Sequence, residues 1–328
     1  MYIKDLKFSL WCDFVERSFL DGEFAELINR GIINGATSNP AIFKSAILNS
    51  HAYKNDIDAL KGNSPKEIYE ELAIKDIKKA AQKLLPLYEN GDDGFISIEV
   101  DPFLCDDTQG TIAEGKRLFA KINMPNVMIK VPATEAGYEA MASLIGEGVN
   151  VNATLIFSTK QTKNCLDAFN KGNKEFKGAR LPKAVISVFV SRFDRKLDEK
   201  LDKLGLATSK VGIYNAIKVY DLVEGYGLDN VRTLFASTGV KSDNLPADYY
   251  IRGLLLKNSI NTAPLATIKS FVNSGMVDRE IKIDKEVDLF LETVNKNGIE
   301  IQRVCDDLMA EGLDAFKEAF KEILDTLS

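Results

Sequence analysis

Short apolar runs alternate along the chain with longer stretches in which apolar residues recur at helical spacing. Strands buried on both faces of a parallel sheet are apolar throughout, and helices connect them. The alternation therefore predicts a parallel sheet with helical crossovers. The predicted strands cover residues 8–13, 33–38, 95–100, 127–131, 151–157, 184–189, 231–237 and 259–262.

Two capping boxes mark predicted helix starts, at residues 64–67 (SPKE) and 158–161 (STKQ). In the first, Pro65 occupies the first helical position, where its missing N–H carries no penalty. The region 284–328 has helical periodicity with a break near 297–298 (NG), and it predicts two helices.

The repeated strand and helix units predict an α/β protein, a closed (β/α)₈ or TIM barrel with additional helices. Open doubly wound sheets more often have about five or six strands. No Gly-x-Gly-x-x-Gly motif follows the first predicted strand. Extra helical sequence lies at 39–90 and 190–228 without a Pro-, Gly- or Ser-rich linker. We therefore expect residues 1–328 to form a single barrel domain with helical insertions and C-terminal helices.

Composition indicates where the protein is located and which classes of partner it is expected not to bind. The chain has 328 residues, of which 45% are hydrophobic, and a net charge of -6, which disfavours nucleic-acid binding. Charges interrupt the N-terminal region, so no signal peptide is predicted, and no apolar run is long enough to span a membrane. The cysteines are scattered, as expected of reduced thiols. We expect a cytoplasmic protein that binds neither nucleic acid nor membrane.

Polar residues lie within or directly after most of the apolar strands. In a barrel the carboxyl ends of different strands meet at one mouth, so side chains distant in sequence surround one ligand. The pattern predicts one active site. These residues are Asp13, Thr37, Asn39, Glu99, Asp101, Lys130, Asn152, Thr154, Ser187, Ser237, Thr238, Asn261 and Thr262.

Lys130 is the most informative of these residues because it interrupts the apolar strand 127–131. Burial disfavours the charged ammonium unless carboxylates compensate, and an uncharged amine is the form that condenses with a carbonyl to give a Schiff base. The alternative is a structural ion pair with Glu99 or Asp13. The residues alone leave both interpretations open.

Asp13 and Glu99 are the candidate proton donors and acceptors for imine chemistry. Alternatively, Asp13 caps a helix beginning near Glu16 while Glu99 only neutralises Lys130. A divalent metal held by Glu99 and Asp101 is a third interpretation.

The chain has a single histidine, His51, which we expect at the surface. This scarcity argues against a histidine-rich zinc site and against catalysis by a Ser-His-Asp or Cys-His arrangement. Acid and base functions then fall to carboxylates, lysine, tyrosine or an ordered water.

Two cations are candidates for binding a phosphate. Arg192 directly follows the sixth predicted strand, and its planar guanidinium can hold a phosphate through two hydrogen bonds. The alternative is an ion pair with Asp194 or Asp198. Lys241 lies after the seventh strand, where barrels often bind phosphate, although most loop lysines are only solvated.

Five segments resemble the motifs of the transaldolase family, bacterial branch with the longer chain, and the resemblance covers nearly the whole sequence. They carry an Asn-Pro signature, a glutamate strand, a lysine strand and two further strands. These segments are 35–43 (GATSNPAIF), 96–101 (ISIEVD), 127–134 (VMIKVPAT), 151–158 (VNATLIFS) and 186–192 (ISVFVSR).

The resemblance implies that Lys130 forms the Schiff base, that Glu99 and Thr154 hold a catalytic water, and that Asp13 assists protonation. It implies substrate contacts for Thr37, Asn39, Asn152 and Ser187, and a phosphate contact for Arg192. The match fails at 236–241 (ASTGVK), where many members have a second arginine. Lys241 is the candidate substitute, with a less directional charge.

The family reaction transfers a dihydroxyacetone unit from sedoheptulose 7-phosphate to glyceraldehyde 3-phosphate in the non-oxidative pentose phosphate pathway. It needs no cofactor, and its partners are sugar phosphates. The sequence does not choose between a monomer and a homodimer. Three alternatives remain: an aldolase that only cleaves fructose 6-phosphate, a sugar-phosphate binding protein without catalysis, and the metal-dependent barrel enzyme.

Overall fold

The computed structural model describes residues 1–242, 244–275 and 286–328. Its parallel strands close into a barrel in sequence order, with β8 paired to β1. The predicted (β/α)₈ fold and all eight predicted strands are confirmed. The strands are β1 (Ser9–Cys12), β2 (Gly35–Thr37), β3 (Phe95–Glu99), β4 (Val127–Pro132), β5 (Asn150–Ile156), β6 (Ala184–Phe189), β7 (Val231–Ala236) and β8 (Ile260–Ala263).

Helices surround the barrel and fill both predicted insertions. Two 3₁₀ turns, His51–Tyr53 and Pro102–Leu104, accompany them. The described helices are α1 (Arg17–Asp21), α2 (Glu23–Asn29), α3 (Pro40–Asn49), α4 (Lys54–Ala59), α5 (Pro65–Glu89), α6 (Thr108–Ile122), α7 (Glu135–Gly146), α8 (Thr159–Glu175), α9 (Ser191–Lys203), α10 (Val211–Tyr226), α11 (Tyr249–Arg252), α12 (Leu265–Asn273), α13 (Val287–Lys296) and α14 (Ile301–Thr326).

Local sequence signals account for several helix boundaries. Ser64 and Glu67 form a capping box at the start of α5, and Ser158 and Gln161 form another at the start of α8. The predicted break near 297–298 separates α13 from α14. Residues 284 and 285, which the predicted helical region included, lie outside the described residues.

The apolar side chains form two clusters. The larger lies mainly between the outer face of the barrel and the helices. The smaller includes barrel-interior residues such as Trp11 and Met128 together with residues of α9 and α14. Helix α14 packs against α3, α5, α9 and β5, and so reaches across from the C-terminal region to the barrel. That path places α14 beside the site described below.

The expectations for His51 and for the cysteines are met. His51 is exposed, and all four cysteines are buried and unpaired. Among the helices that the structure describes, none is both long and apolar enough to cross a membrane. The organisation of all 328 residues as one domain stays a prediction.

Candidate active site

A cavity of about 170 Å³ opens at the carboxyl ends of the barrel strands. Eight of the residues predicted for the site line it, contributed by β2, β4, β6, β8, the first turn of α9 and the segments after β1, β2 and β7. These are Asp13, Thr37, Asn39, Lys130, Ser187, Arg192, Ser237 and Thr262. The barrel therefore brings together side chains that are far apart in sequence, as expected at this face of the fold.

Lys130 lies on β4 with a side chain that is only 6% exposed. Its Nζ donates a hydrogen bond of 3.0 Å to the carbonyl oxygen of Ser38 and lies 3.7 Å from Oε2 of Glu99. In the β3–β4 register, Glu99 is directly opposite Lys130. The ion pair expected as an alternative is thus present. It supplies the charge compensation that burial requires, and it leaves the amine facing the cavity.

Glu99 is buried and has unusual electrostatics. Burial raises the pKa of Glu99 to about 7, against the opposing charge of Lys130 and with a smaller contribution from Asp13. Neither carboxylate oxygen accepts a hydrogen bond from the described part of the protein. A carboxyl group with a pKa near neutrality and free acceptor positions is suited to proton transfer.

Thr154, on β5, has a fully buried hydroxyl without a hydrogen-bond partner among the described residues. A register shift between Ala153 and Ile156 interrupts the β5–β6 pairing, and Leu155 has a positive φ of 55°. Because this bulge adds one residue, Leu155 joins the cluster inside the barrel and the alternation resumes at Ile156. Such bulges often re-aim side chains beside active sites.

Asp13 forms a hydroxyl chain with two threonines. Thr37 Oγ1 donates to Asp13 Oδ1 at 2.6 Å and lies 2.6 Å from Thr262 Oγ1. Burial raises the pKa of Asp13, while Lys130 and Thr37 oppose the rise. The alternative role of Asp13 as a helix cap is wrong, because the Glu16 side chain caps α1.

Asn152 and Ser187 are held together on neighbouring strands. Ser187 Oγ donates to Asn152 Oδ1 at 2.6 Å, and Asn152 Nδ2 donates to Ser97 Oγ at 3.2 Å. Asn152 is opposite Lys130 in the β4–β5 register. Asn39 caps α3 by accepting from the Ile42 amide at 3.0 Å, and this bond fixes its position at the cavity.

Arg192 makes no ion pair with any residue that the structure describes. The alternative pairing with Asp194 or Asp198 is wrong, because both carboxylates have other partners. Asp194 accepts from the Tyr250 hydroxyl at 2.9 Å, and Asp198 accepts from the Ser209 hydroxyl at 2.8 Å. The Arg192 guanidinium is therefore available to an anion in the cavity.

Packing fixes the orientation of Arg192. Its guanidinium carbon lies 5.1 Å from the centroid of the Phe189 ring. A Cβ atom added to Gly312 of α14 would lie 2.9 Å from one guanidinium nitrogen. Burial, followed by the charge of Arg195, lowers the pKa of Arg192, and Glu311 opposes this effect. An anion would offset the cost of this partly desolvated cation.

Lys241 and Asp101 do not line the cavity. Lys241 is exposed on the segment after β7. Asp101 pairs with Lys66 at 2.6 Å and accepts from the Phe103 amide at 2.9 Å. Within 1–242, 244–275 and 286–328, no three His, Cys, Asp or Glu side chains cluster as metal ligands would. The metal interpretation built on Glu99 and Asp101 therefore lacks a ligand set there.

Ser237 and Thr262 were predicted as polar residues at strand ends without a specific role, and Ser237 has a positive φ of 54°. The other four residues of the cavity wall were not predicted. Ala41, Phe189 and Ala236 resemble ordinary helix or strand residues. Phe316 belongs to α14, and only the packing of that helix over the barrel mouth brings it to the site.

Comparison with known proteins places this geometry in a family. The profile of the Transaldolase/Fructose-6-phosphate aldolase family matches residues 10–327. The chain is 50% identical over 329 residues to a transaldolase of Campylobacter jejuni subsp. jejuni serotype O:23/36 (strain 81-176), covering 98% of this chain and 99% of that protein. It is 45% identical over 320 residues to a transaldolase of Helicobacter pylori (strain ATCC 700392 / 26695), covering 97% and 98%. The chain is an enzyme that belongs to the transaldolase/fructose-6-phosphate aldolase family.

Proposed function

We propose that this enzyme transfers a dihydroxyacetone unit from sedoheptulose 7-phosphate to glyceraldehyde 3-phosphate through a Schiff base on Lys130. The single observation that carries the proposal is the buried Lys130 amine, 3.7 Å from Glu99, in a cavity that also contains the guanidinium of Arg192. The reaction belongs to the non-oxidative pentose phosphate pathway, and we place it in the cytoplasm. The lysine stores the carbon fragment, so no cofactor is needed.

The first half-reaction cleaves the donor. The Lys130 amine adds to the C2 carbonyl of the ketose, and loss of water from the carbinolamine gives the protonated imine. The C3–C4 bond then breaks, and its electron pair moves into the imine to form an enamine. Asp13 takes the proton of the C4 hydroxyl, and erythrose 4-phosphate leaves as the aldehyde.

The second half-reaction reverses these steps with a new aldehyde. The enamine carbon attacks C1 of glyceraldehyde 3-phosphate, Asp13 returns the proton to the new hydroxyl, and water hydrolyses the imine to release fructose 6-phosphate. Glu99 and Thr154 hold that water. Their buried oxygen atoms have no hydrogen-bond partner among the described residues, which supports this role.

The remaining lining residues orient the substrate. Arg192 binds the phosphate, because its guanidinium is at the cavity and has no ion-pair partner in the described part of the chain. We assign hydroxyl and amine contacts to Thr37, Asn39, Asn152 and Ser187. Lys241 is proposed as a second phosphate contact, which requires its exposed side chain to turn towards a bound substrate.

Borohydride reduction tests the covalent step. With fructose 6-phosphate present, reduction of the imine should attach one three-carbon fragment, and mass mapping should place it on Lys130. The peptide containing Lys116, an exposed lysine of α6, is the internal control for non-specific labelling. Label on another lysine, or no label, contradicts the proposed mechanism.

Acceptor dependence separates transfer from simple cleavage. Given fructose 6-phosphate alone, the enzyme should release dihydroxyacetone far more slowly than it forms sedoheptulose 7-phosphate when erythrose 4-phosphate is added. Product analysis in the two mixtures makes the comparison. Equal rates of release with and without an acceptor would instead identify a fructose-6-phosphate aldolase.

Gly312→Ala should weaken phosphate binding. The added methyl would lie 2.9 Å from both a guanidinium nitrogen of Arg192 and Cδ2 of Leu155, so the guanidinium must shift. We expect KM for the phosphorylated donor to rise about tenfold, which corresponds to ~1.4 kcal/mol, with kcat nearly unchanged. Steady-state kinetics measures both constants.

Gly225→Ala is the matched control, because a Cβ added at Gly225 of α10 meets nothing within 4 Å. That variant gains the same helix propensity and should retain the KM of the wild type. An unchanged KM in Gly312→Ala would show that Gly312 does not position Arg192.

A further inference from the structure

A second and larger cavity, of about 530 Å³, lies at the opposite end of the barrel. We call it the basal cavity. Its inner wall includes Phe95, Met128 and Ala184, which lie at the amino ends of β3, β4 and β6. Met128 and Lys130 are two residues apart on β4, so their Cα atoms are separated by roughly 7 Å of strand. The two cavities are distinct.

The charges around the basal cavity are unbalanced. Its lining contains the side chains of Lys7, Arg180, Lys183 and Arg232, against only two carboxylates. Arg232 pairs with Asp93 at 2.6 Å. The other three cations form no ion pair with a residue in the described ranges. This local positive charge is unexpected in a chain with a net charge of -6.

Like charges crowd at one edge of the basal cavity. Burial and the neighbouring charges of Arg180 and Arg232 lower the pKa of Lys183, although Asp93 and Asp229 oppose the shift. Repulsion between nearby cations costs free energy, and an anion with several acceptor oxygens would relieve it. A phosphate dianion fits this arrangement, because guanidinium and ammonium groups both bind it through charge-assisted hydrogen bonds.

Apart from Asn150, Asn230 and Asn258, the rest of the wall is largely apolar and aromatic. Tyr88 and Phe119 are half-buried, and Leu181 is 40% exposed. Leu181 lies between Arg180 and Pro182 in sequence, next to the cationic edge. Cavities of this volume, with an apolar wall and a few convergent charges, are typical of small-molecule sites.

We propose that the basal cavity binds a small aromatic phosphate monoester, with its phosphate on Arg180 and Lys183 and its ring against Tyr88, Phe119 and Leu181. The site needs neither Lys130 nor Arg192. Binding there is therefore independent of the reaction proposed above.

Adenosine 5′-monophosphate is a suitable probe because it carries both groups on one molecule. Trp11 provides the signal, since it is the only tryptophan of the chain and it lines the basal cavity. The Trp11 Nε1 donates a hydrogen bond to Asp93 at 3.2 Å, so an anion bound near Asp93 would change the electrostatic environment of the indole ring. We expect a saturable fluorescence change with one site per chain, matched by calorimetry. Adenosine alone and inorganic phosphate alone should each bind at least about tenfold more weakly.

Three variants locate the binding. The double variant Arg180→Ser with Lys183→Ser should weaken binding of adenosine 5′-monophosphate at least about tenfold, because two charge-assisted contacts are lost. The double variant Lys174→Ser with Lys177→Ser removes an equal charge from exposed positions outside the cavity lining and should bind as the wild type does. Arg192→Ala, which disables the proposed phosphate site of the catalytic cavity, should also bind normally.

Each other outcome overturns the proposal. The proposal is wrong if the wild type shows no saturable binding, or if the variant Arg180→Ser with Lys183→Ser binds as tightly as the wild type. It is also wrong if Arg192→Ala loses binding, or if inorganic phosphate binds as tightly as adenosine 5′-monophosphate. If the variant Arg180→Ser with Lys183→Ser unfolds, Leu181→Glu provides an independent test, because it adds a negative charge at the exposed wall. Normal binding by that variant would contradict the proposed contact.

Discussion

Lys130→Met should abolish transfer, with kcat lower by at least about 10⁴-fold, the order of loss seen when a covalent nucleophile is removed. Methionine resembles the lysine stem in volume, so the apolar surroundings on β4 remain filled. No other lysine lines the catalytic cavity in the part of the chain that the structure describes. The coupled assay for fructose 6-phosphate formation measures the rate, and borohydride trapping should fail in parallel.

The Lys130→Met variant should still fold. Removing the cation leaves Glu99 without the charge that opposes its raised pKa, so the carboxyl group becomes protonated and neutral near pH 7. Circular dichroism and thermal unfolding check this point. Lys116→Met, which removes only an exposed ion pair with Glu147, should retain the full rate. A variant lacking Lys130 that turned over within tenfold of wild type would exclude the covalent mechanism.

Glu99→Gln should lower kcat about 10²- to 10³-fold, the usual contribution of a general acid or base. Glutamine keeps the shape of the side chain but accepts no proton. In the wild type, kcat/KM should rise as the pH increases through about 7, because Glu99 must lose its proton before it can act as a base. In Glu99→Gln this rise of kcat/KM near pH 7 should be absent. Measurement of kcat/KM from acidic to alkaline pH in both proteins tests this.

Asp101→Asn is the control for Glu99→Gln. Asp101 lies two residues further along the chain and pairs with Lys66, away from Lys130. That variant is expected to lose some stability, since the cap on Phe103 and the ion pair both weaken, yet to retain the rise of kcat/KM near pH 7. If the rise of kcat/KM near pH 7 persisted in Glu99→Gln, the titrating group would be a residue other than Glu99.

The fold was predictable because its signals are local. A buried parallel strand is a short apolar run, and a helix start is a capping box, so the eight strands and the starts of α5 and α8 follow from neighbouring residues. The prediction of one barrel mouth then follows from topology. It allowed Asp13 and Ser187 to be placed together although they are far apart in sequence.

The finer geometry of the site depends on long-range packing. Nothing near Phe316 or Gly312 in sequence indicates that α14 reaches Arg192, because that contact exists only once the helix packs across the barrel. The bulge at Leu155 could not be predicted from the sequence either, because an apolar strand with one extra residue has the same local pattern as a regular strand. The Asp13–Thr37–Thr262 chain requires the closure of β8 on β1, which no local pattern encodes.

The position of α14 also has a consequence during synthesis. The last barrel strand ends at Ala263, whereas α14 begins at Ile301. A nascent chain can therefore assemble all eight strands, with Lys130 in place, before Phe316 has left the ribosome. Until then the catalytic cavity lacks part of its wall, and Arg192 lacks the helix that confines it. Maturation of the active centre is thus delayed relative to formation of its scaffold, and an interrupted translation product would be a barrel without a completed catalytic pocket.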